Sequence, residues 1–459
     1  MNKSLCEYYC CPEQHIPLRL KGSLSQESGY FRFENDILYG KIGGAETAAN
    51  PDNAQDVSSE CVIDAGTVHL PFDATEVLNN LRYEMYTSSF GDWHPASSLV
   101  GRGYYFIRPL LPVNVRRHLQ KFRLNGWRHL RFPHWPVDRT VDNVMEHLLR
   151  LSLRASNREE IPFIWFWPNG ATGCAIMTHD VETTAGRDFC STLMDINDRF
   201  DIKGSFQVVP EVRYDVPESY LEEIRSRDFE VNVQDLNHDG HLFRTKKEFL
   251  ARVVKINEYR RQFQADGFRS AVLYRRQEWY DALDFSYDMS VPNVAHLDPQ
   301  RGGCCTVMPY FVGNMVELPV TTTQDYSLFH ILETHSIELW QQQIELIMAK
   351  HGLMNFIIHP DYIIDRADRA TYEMLLAYLK GLKDERNVWM PLPRDAASWW
   401  KQRSKMRLVE FNGTWQVEGE GKERARIAYA SEKDGHLVYS LQTSEGKHQS
   451  VISHSVTTH

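Results

Sequence analysis

Residues 174–182, CAIMTHDVE, form an apolar run that stops abruptly at three polar residues, His179, Asp180 and Glu182. A run of this length that is rich in β-forming residues predicts a buried strand. Two carboxylates two positions apart leave the end of that strand together. We therefore expect a functional site at its carboxyl end.

From about residue 162 onward, similar apolar runs alternate with helix-like segments in which apolar residues recur every three or four positions. The seven candidate strands are CAIMTHD, KGSFQVV, FEVNVQ, GFRSAVL, FSYDMS, VELPVT and MNFIIHP. The helix-like segments are residues 187–200, 218–227, 246–263 and 333–351. Repeated strand–helix alternation predicts a parallel sheet covered by helices, and seven or eight such units predict a closed β/α barrel.

Polar residues that can take part in catalysis or metal binding lie where several of these runs end. They are Asp180 and Glu182 after the first run, Gln234 and His238 after the third, Arg269 in the fourth, and His359 and Asp361 after the seventh. Enzymes with barrels of this kind work at the carboxyl ends of the strands. This alignment predicts one shared site, although His and Asp are also common in turns that face solvent.

The residue types suit a hydrolase that uses a metal ion, a base for the attacking water and an acid for the leaving group. Of the two carboxylates, one can hold the metal while the other takes a proton. His238 and His241 offer imidazoles to a metal such as zinc, although the HDG sequence is also an ordinary turn. Arg269 can keep a nearby carboxylate ionised, or it can be an ion-pair partner inside the barrel.

With these residues in place, the region from about residue 162 to residue 400 resembles the polysaccharide deacetylase family, the NodB-homology carbohydrate esterases. THDVE resembles the first motif of the family, QDLNHDG the second, GFRSAVLY the arginine-containing third, and NFIIHPDY the last. The resemblance implies a distorted seven-stranded β/α barrel that removes acetyl groups from sugars with the help of a metal. It also implies Asp180 as catalytic base, Glu182 and His238 as metal ligands, and His359 as catalytic acid, with Arg269 supporting the base.

The second motif departs from the family pattern, because Gln234 stands where the family has its first histidine ligand. An amide oxygen is a weaker zinc ligand than an imidazole, so we expect a lower metal affinity. Either Asp180, Glu182 and His238, assisted by Gln234 or His241, still hold a divalent metal, with zinc expected, or tight binding has been lost.

Three parts of the chain are predicted. Residues 1–160 form an N-terminal α+β region of unassigned role, residues 161–404 form the deacetylase-like barrel, and residues 405–459 form a small antiparallel β appendage with a polar tail. Asn412-Gly413 and Asp434-Gly435, each between alternating apolar runs, predict two hairpins in the last part.

Composition narrows the class of partner. The net charge of −10 is spread without long blocks, which argues against nucleic acid, because phosphate binding relies on clustered Lys and Arg. Eight cysteines without paired CxxC spacing suit free thiols in a reducing compartment. No apolar run is long enough for a transmembrane helix, so we expect a cytoplasmic protein. The amphipathic segment 106–124, which carries several arginines, leaves peripheral membrane contact open.

The function predicted from these observations is a carbohydrate deacetylase, a hydrolase of non-peptide carbon–nitrogen bonds whose partner is an acetylated sugar or glycan. A second hypothesis is a catalytically impaired barrel that binds a glycan or a lipid-linked sugar, and its motivation is Gln234. A third is a glycoside hydrolase that uses Asp180 and Glu317 as a carboxylate pair, which requires their oxygens to lie about 5–10 Å apart across a groove.

Overall fold

The computed structural model describes residues 1–44, 46–90, 126–442 and 448–451. The amphipathic segment 106–124 lies outside these residues. The described α-helices are α1 Lys3–Tyr9, α2 Ala74–Arg82, α3 Thr140–Ser156, α4 Thr184–Arg199, α5 Glu218–Ser226, α6 Lys246–Gln262, α7 Glu338–Met348, α8 Arg366–Arg386 and α9 Pro393–Lys405. The strands are β1 Leu18–Leu20, β2 Gly29–Phe33, β3 Asp36–Gly40, β4 Gln55–Asp56, β5 Val62–Asp64, β6 Thr67–Leu70, β7 Glu160–Ile164, β8 Gly173–Val181, β9 Gly204–Val208, β10 Glu230–Gln234, β11 Gly267–Arg269, β12 Tyr287–Asp288, β13 Tyr310–Val312, β14 Met315–Glu317, β15 Leu353–Ile358, β16 Val388–Trp389, β17 Arg407–Phe411, β18 Thr414–Glu418, β19 Ile427–Lys433, β20 His436–Gln442 and β21 His448–Ser450.

The site is built on a nine-stranded sheet with the order β13-β14-β12-β11-β10-β9-β8-β15, in which β16 also pairs with β8. Its neighbouring strands are parallel, apart from the antiparallel pair of β13 and β14. Each of the seven predicted apolar runs overlaps one of these strands, while β13 and β16 lie outside the runs. The predicted α/β class is therefore confirmed.

Strand β8 is buried along all nine of its residues. Parallel strands that are covered on both faces are continuous apolar runs, which explains the sequence of this segment. The helices that follow β8 and β10 begin at side-chain caps. Thr183 accepts a hydrogen bond from the Gly186 amide at the start of α4, and Thr245 accepts one from the Glu248 amide at the start of α6. The two caps fix the residue at which each helix begins. They therefore also fix where the loop between strand and helix ends, and these loops carry the site.

Strand β15 meets the segment that follows β14 through side chains rather than a ladder of backbone hydrogen bonds. The Thr321 hydroxyl donates to the Leu353 carbonyl at 2.6 Å and accepts from the Asn355 amide at 2.9 Å. The Thr322 hydroxyl donates to the Asn355 carbonyl at 2.8 Å. These bonds connect the two ends of the parallel part of the sheet, while a closed seven-stranded barrel stays a prediction.

Both predicted C-terminal hairpins are present. Strands β17 and β18 flank Asn412 and Gly413, and β19 and β20 flank Asp434 and Gly435. The central residues of both turns have positive φ angles, as two-residue hairpin loops require. Strand β19 also pairs antiparallel with β7, so this hairpin extends a four-stranded sheet. The division of the chain into three parts stays a prediction.

All eight cysteines are free, as the sequence predicts. In the part of the chain that the structure describes, no helix has both the length and the apolar character of a membrane span.

Candidate active site

Strand β8 delivers two carboxylates to its carboxyl end. Successive side chains of a strand point to opposite faces. Asp180 accordingly points the same way as Thr178, while His179 points toward α4 and contacts the Asn197 side chain at 2.9 Å. Burial lowers the pKa of His179 to about 3, which keeps it uncharged. His179 is therefore a packing residue, and the motif contributes Asp180 and Glu182.

Glu182 lies at the centre of a group of nitrogen atoms. Its Oε1 atom is 2.7 Å from Nε2 of His238, 3.1 Å from Nε2 of Gln234 and 3.5 Å from Nε2 of His359. Burial by itself would raise the pKa of Glu182, but the neighbouring imidazoles of His238 and His359 hold it well below the usual range. Glu182 is thus an ionised carboxylate at neutral pH and a poor proton acceptor.

Asp180 is paired with Arg269, which ends β11 and is fully buried. Nη1 of Arg269 lies 3.3 Å from the Asp180 carboxylate, and Nη2 donates to the Thr178 hydroxyl at 3.0 Å. The Gln234 amide nitrogen donates to the same carboxylate at 3.2 Å. Burial raises the pKa of Asp180, and the opposing charge of Arg269 limits the rise.

His359 follows β15 directly and is held by Asp325. Its Nδ1 atom and its backbone N–H each lie 2.6 Å from one carboxylate oxygen of Asp325. Burial would lower the pKa of His359, but Asp325 and Glu182 raise it well above its usual value. Asp325 stands in none of the motifs of the sequence analysis. Its contact with His359 joins positions 34 residues apart, and no local pattern marks such a pair.

His238 lies in the loop after β10, with φ near +55°. Its Nδ1 atom is 3.0 Å from Nη2 of Arg213, a residue that the sequence analysis did not single out. His241 lies apart from this group, because its ring pairs with Asp239 at 3.5 Å and Arg252 holds the same aspartate. The structure therefore brings together Asp180, Glu182, Gln234, His238, Arg269 and His359, while His241 pairs with Asp239 instead.

The residues present fit a bound cation. Asp180, Glu182 and His359 each offer a ligand atom, and these atoms lie within 4.8 Å of one another. Among the described residues, two buried polar atoms of the same site have no hydrogen-bond partner, namely Oδ1 of Asp180 and Oε1 of Gln234. Carboxylate oxygens and imidazole nitrogens together are typical ligands of zinc and similar divalent ions. The site can therefore hold a metal ion.

The second carboxylate of the glycosidase hypothesis lies elsewhere in the sheet. Glu317 is fully buried, accepts a hydrogen bond from the Val291 amide at 3.0 Å and lies against Asp288. Burial and the neighbouring Asp288 raise its pKa well above the usual value. A buried carboxyl that pairs with another carboxyl has no access to a groove, so the structure does not favour a catalytic pair of Asp180 and Glu317.

Comparisons with known proteins found similar solved structures for about half of the chain. One is a protein described as a polysaccharide deacetylase from Mycobacterium smegmatis, with 18% identity and a TM-score of 0.43 over 52% of this chain and 93% of that one. Another is the chitin deacetylase of the fungal pathogen Colletotrichum lindemuthianum, with 11% identity and a TM-score of 0.32 over 50% of this chain and 90% of that one. A third is a CE4 family pseudoenzyme from Bacillus anthracis, with 12% identity and a TM-score of 0.30 over 50% of this chain and 66% of that one. No protein-family model and no curated protein matches the chain.

Proposed function

We propose that this protein is a metal-dependent hydrolase that removes acetyl groups from a carbohydrate. The observation that carries the proposal is the convergence of Asp180, Glu182 and His359 at the ends of two neighbouring strands, with ligand atoms within 4.8 Å of one another. Glu182, His238 and Gln234 would hold the ion beside Asp180. A divalent cation bound there would act as a Lewis acid toward the acetyl carbonyl and the attacking water.

The environments of the acidic and basic groups favour separate roles. Asp180 is the better general base of the two carboxylates, because burial raises its pKa while that of Glu182 is held low. Arg269 keeps Asp180 ionised and oriented. His359 is the general acid, since Asp325 stabilises its protonated ring while Nε2 remains directed toward the site. In this scheme His359 would donate the proton to the leaving amine of the sugar.

An acetylated sugar or glycan is the expected substrate, because the motifs resemble those of carbohydrate deacetylases. The lack of long basic blocks in the chain argues against a nucleic acid. The proposed catalytic residues and ligands all lie between positions 180 and 359, within the proposed barrel unit of residues 161–404. We infer that the flanking units, residues 1–160 and 405–459, support this unit rather than contribute reacting groups. Zinc and a cytoplasmic location are likewise part of the proposal.

The alternative function is a catalytically impaired barrel that binds a glycan or lipid-linked sugar. It is favoured by one observation, the orientation of the Gln234 amide. Its nitrogen donates to both Asp180 and Glu182, so it satisfies carboxylates that a cation would otherwise neutralise. Rotation of the amide by 180° would present Oε1 instead, as a weak ligand.

Metal content and acetate release separate these functions. The purified protein is analysed for bound metal by mass spectrometry and assayed on a panel of N- and O-acetylated sugars, beside Asp180→Asn and Gln234→His. We expect close to one divalent ion per chain and acetate release that Asp180→Asn reduces by about 10²–10⁴-fold. A metal-free natural protein that releases no acetate, while Gln234→His fills the site, would establish the binding alternative.

A further inference from the structure

The contact between Arg213 and His238 determines which ring nitrogen of this histidine carries its hydrogen. A guanidinium group has five N–H donors and no acceptor, and it stays protonated in proteins. Nη2 of Arg213 lies 3.0 Å from Nδ1 of His238, so Nδ1 must accept this hydrogen bond. The hydrogen of the neutral ring is then on Nε2, the nitrogen that lies 2.7 Å from Glu182.

This arrangement is the reverse of the one that metal-binding histidines normally have. A metal-bound imidazole usually donates its second N–H to a carboxylate or a carbonyl, which leaves the ligating nitrogen without a hydrogen. A nitrogen that carries a hydrogen has no free lone pair for an ion. While Arg213 contacts His238, Nε2 of His238 therefore cannot ligate a cation.

The loop that presents Arg213 is strained and held at both ends. Val212 has φ near +73°, and the Arg213 amide donates to the Glu211 carbonyl at 2.8 Å, which is a γ-turn centred on Val212. A positive φ is unfavourable for a β-branched residue, and 84% of the Val212 surface is exposed, so burial of its side chain does not explain the conformation.

The two anchors lie on either side of the γ-turn. The Glu211 amide donates to the Leu236 carbonyl at 3.0 Å, next to the loop of His238. The Tyr214 hydroxyl donates to the Val181 carbonyl at 2.6 Å, directly before Glu182. The strained turn thus places Arg213 between the two segments that carry the ligands. Arg213 itself is exposed, so its guanidinium can leave His238 for water.

We propose that Arg213 controls cation binding at this site by holding His238 in the tautomer that cannot ligate. The inference rests on the proposed metal-dependent function and deepens it. Arg213 contact and cation binding require opposite tautomers of one ring, so each weakens the other by the same factor. Arg213 is a positioning residue in this scheme, because it acts through His238.

Zinc affinity of the metal-free protein tests the proposal without any assay of activity. Zinc is titrated against a chromophoric chelator into the wild type, Arg213→Met and Arg187→Met. Arg187 is a matched control, because its Nη1 donates at 3.0 Å to the carbonyl of Asp215, which belongs to the loop that carries Arg213. Among the described residues, Arg187 makes no contact with His238. Both variants remove one positive charge from this region. We expect Arg213→Met to bind zinc at least about tenfold more tightly than the wild type, and Arg187→Met to stay within about twofold.

The tautomer can be measured directly from the imidazole ¹⁵N chemical shifts, with the His238 signals identified by their loss in His238→Asn. In the metal-free wild type we expect a hydrogen on Nε2 and an accepting Nδ1. In Arg213→Met the Nδ1–H form should increase. A wild-type ring with its hydrogen on Nδ1, or equal zinc affinities of Arg213→Met and Arg187→Met, would overturn the proposal.

The outcomes also distinguish this inference from the proposed function. Zinc binding and acetate release by the wild type, without an effect of Arg213→Met, would retain the function and remove the control by Arg213. Failure of the wild type, Arg213→Met and Gln234→His to bind zinc would overturn both.

Discussion

His359 and Asp325 are joined by two short contacts. Nδ1 and the backbone N–H of His359 each lie 2.6 Å from a different carboxylate oxygen of Asp325, which is fully buried. One carboxylate thus fixes both the position of the chain after β15 and the orientation of the ring. The hydrogen on Nδ1 is held by Asp325, and Nε2 remains directed toward Glu182.

Asp325→Asn should impair the proposed general acid without removing it. Asp325 favours the charged imidazole, so its loss lowers the pKa of His359. We expect acetate release to fall by about 10²-fold and the alkaline limb of the kcat/KM profile to move to lower pH. The measurement is kcat/KM against pH, with His359→Asn as the variant that lacks the acid altogether. An unshifted alkaline limb in Asp325→Asn would exclude His359 as the group that titrates there.

Arg269→Met should destabilise the fold, because it leaves Asp180 buried without its charge partner. Breaking a buried ion pair from one side costs about 3–5 kcal/mol of the free energy of unfolding. The double variant Asp180→Asn/Arg269→Met leaves no unpaired charge and should regain part of this loss. Denaturant unfolding of both variants measures the difference. If the double variant were as unstable as the single one, lost packing rather than unpaired charge would be the cause.

Glu230, on β10, should make stability depend on pH. Burial raises its pKa to about 7, although the Tyr287 hydroxyl and the Arg394 amide donate to it. In the unfolded chain a glutamate has a pKa of about 4.3, so between these values the folded state binds the proton more tightly. The protonated Glu230 carboxyl therefore contributes fully to the free energy of unfolding below about pH 4, and this contribution is lost as the pH rises to about 7.

The variant Glu230→Gln should lack this loss. We expect the stability of the wild type to decline relative to the variant by roughly 3 kcal/mol between pH 4 and pH 8, from the difference of the two pKa values. Urea unfolding across this range gives the comparison, and Glu222→Gln, which changes an exposed glutamate of α5, is the control. A constant difference between wild type and Glu230→Gln would show that Glu230 does not titrate in this window.

Thr321→Val should weaken the junction between β15 and the segment after β14. It removes a hydroxyl that donates to Leu353 and accepts from Asn355, and it leaves both backbone groups buried without this partner. We expect a loss of about 1–3 kcal/mol in the free energy of unfolding. Thr322→Val removes a single bond and should cost less. Equal stability of wild type and Thr321→Val would mean that the junction is held by other contacts.

Much of the architecture was predictable, because it depends on local patterns. The apolar runs predicted seven of the nine strands of the central sheet, all but β13 and β16, and the helical spacing predicted α4, α5, α6 and α7 to within about five residues. The Asn-Gly and Asp-Gly turns predicted both C-terminal hairpins. Parallel strands bring their carboxyl ends to one edge, so Asp180 and His359 could be expected to meet although they lie 179 positions apart in the chain.

The sequence by itself determined which residue types stand at the strand ends, since strand periodicity and strand direction follow from the order of residues alone. Only the tertiary structure decided how those residues are partnered. The pairing of Asp325 with His359, the contact of Arg213 with His238 and the burial of Glu317 against Asp288 each join distant segments through side chains that match no local period. Protonation, tautomer and exposure depend on these neighbours, because they are set by the local dielectric and by hydrogen bonds that form only when the chain has folded.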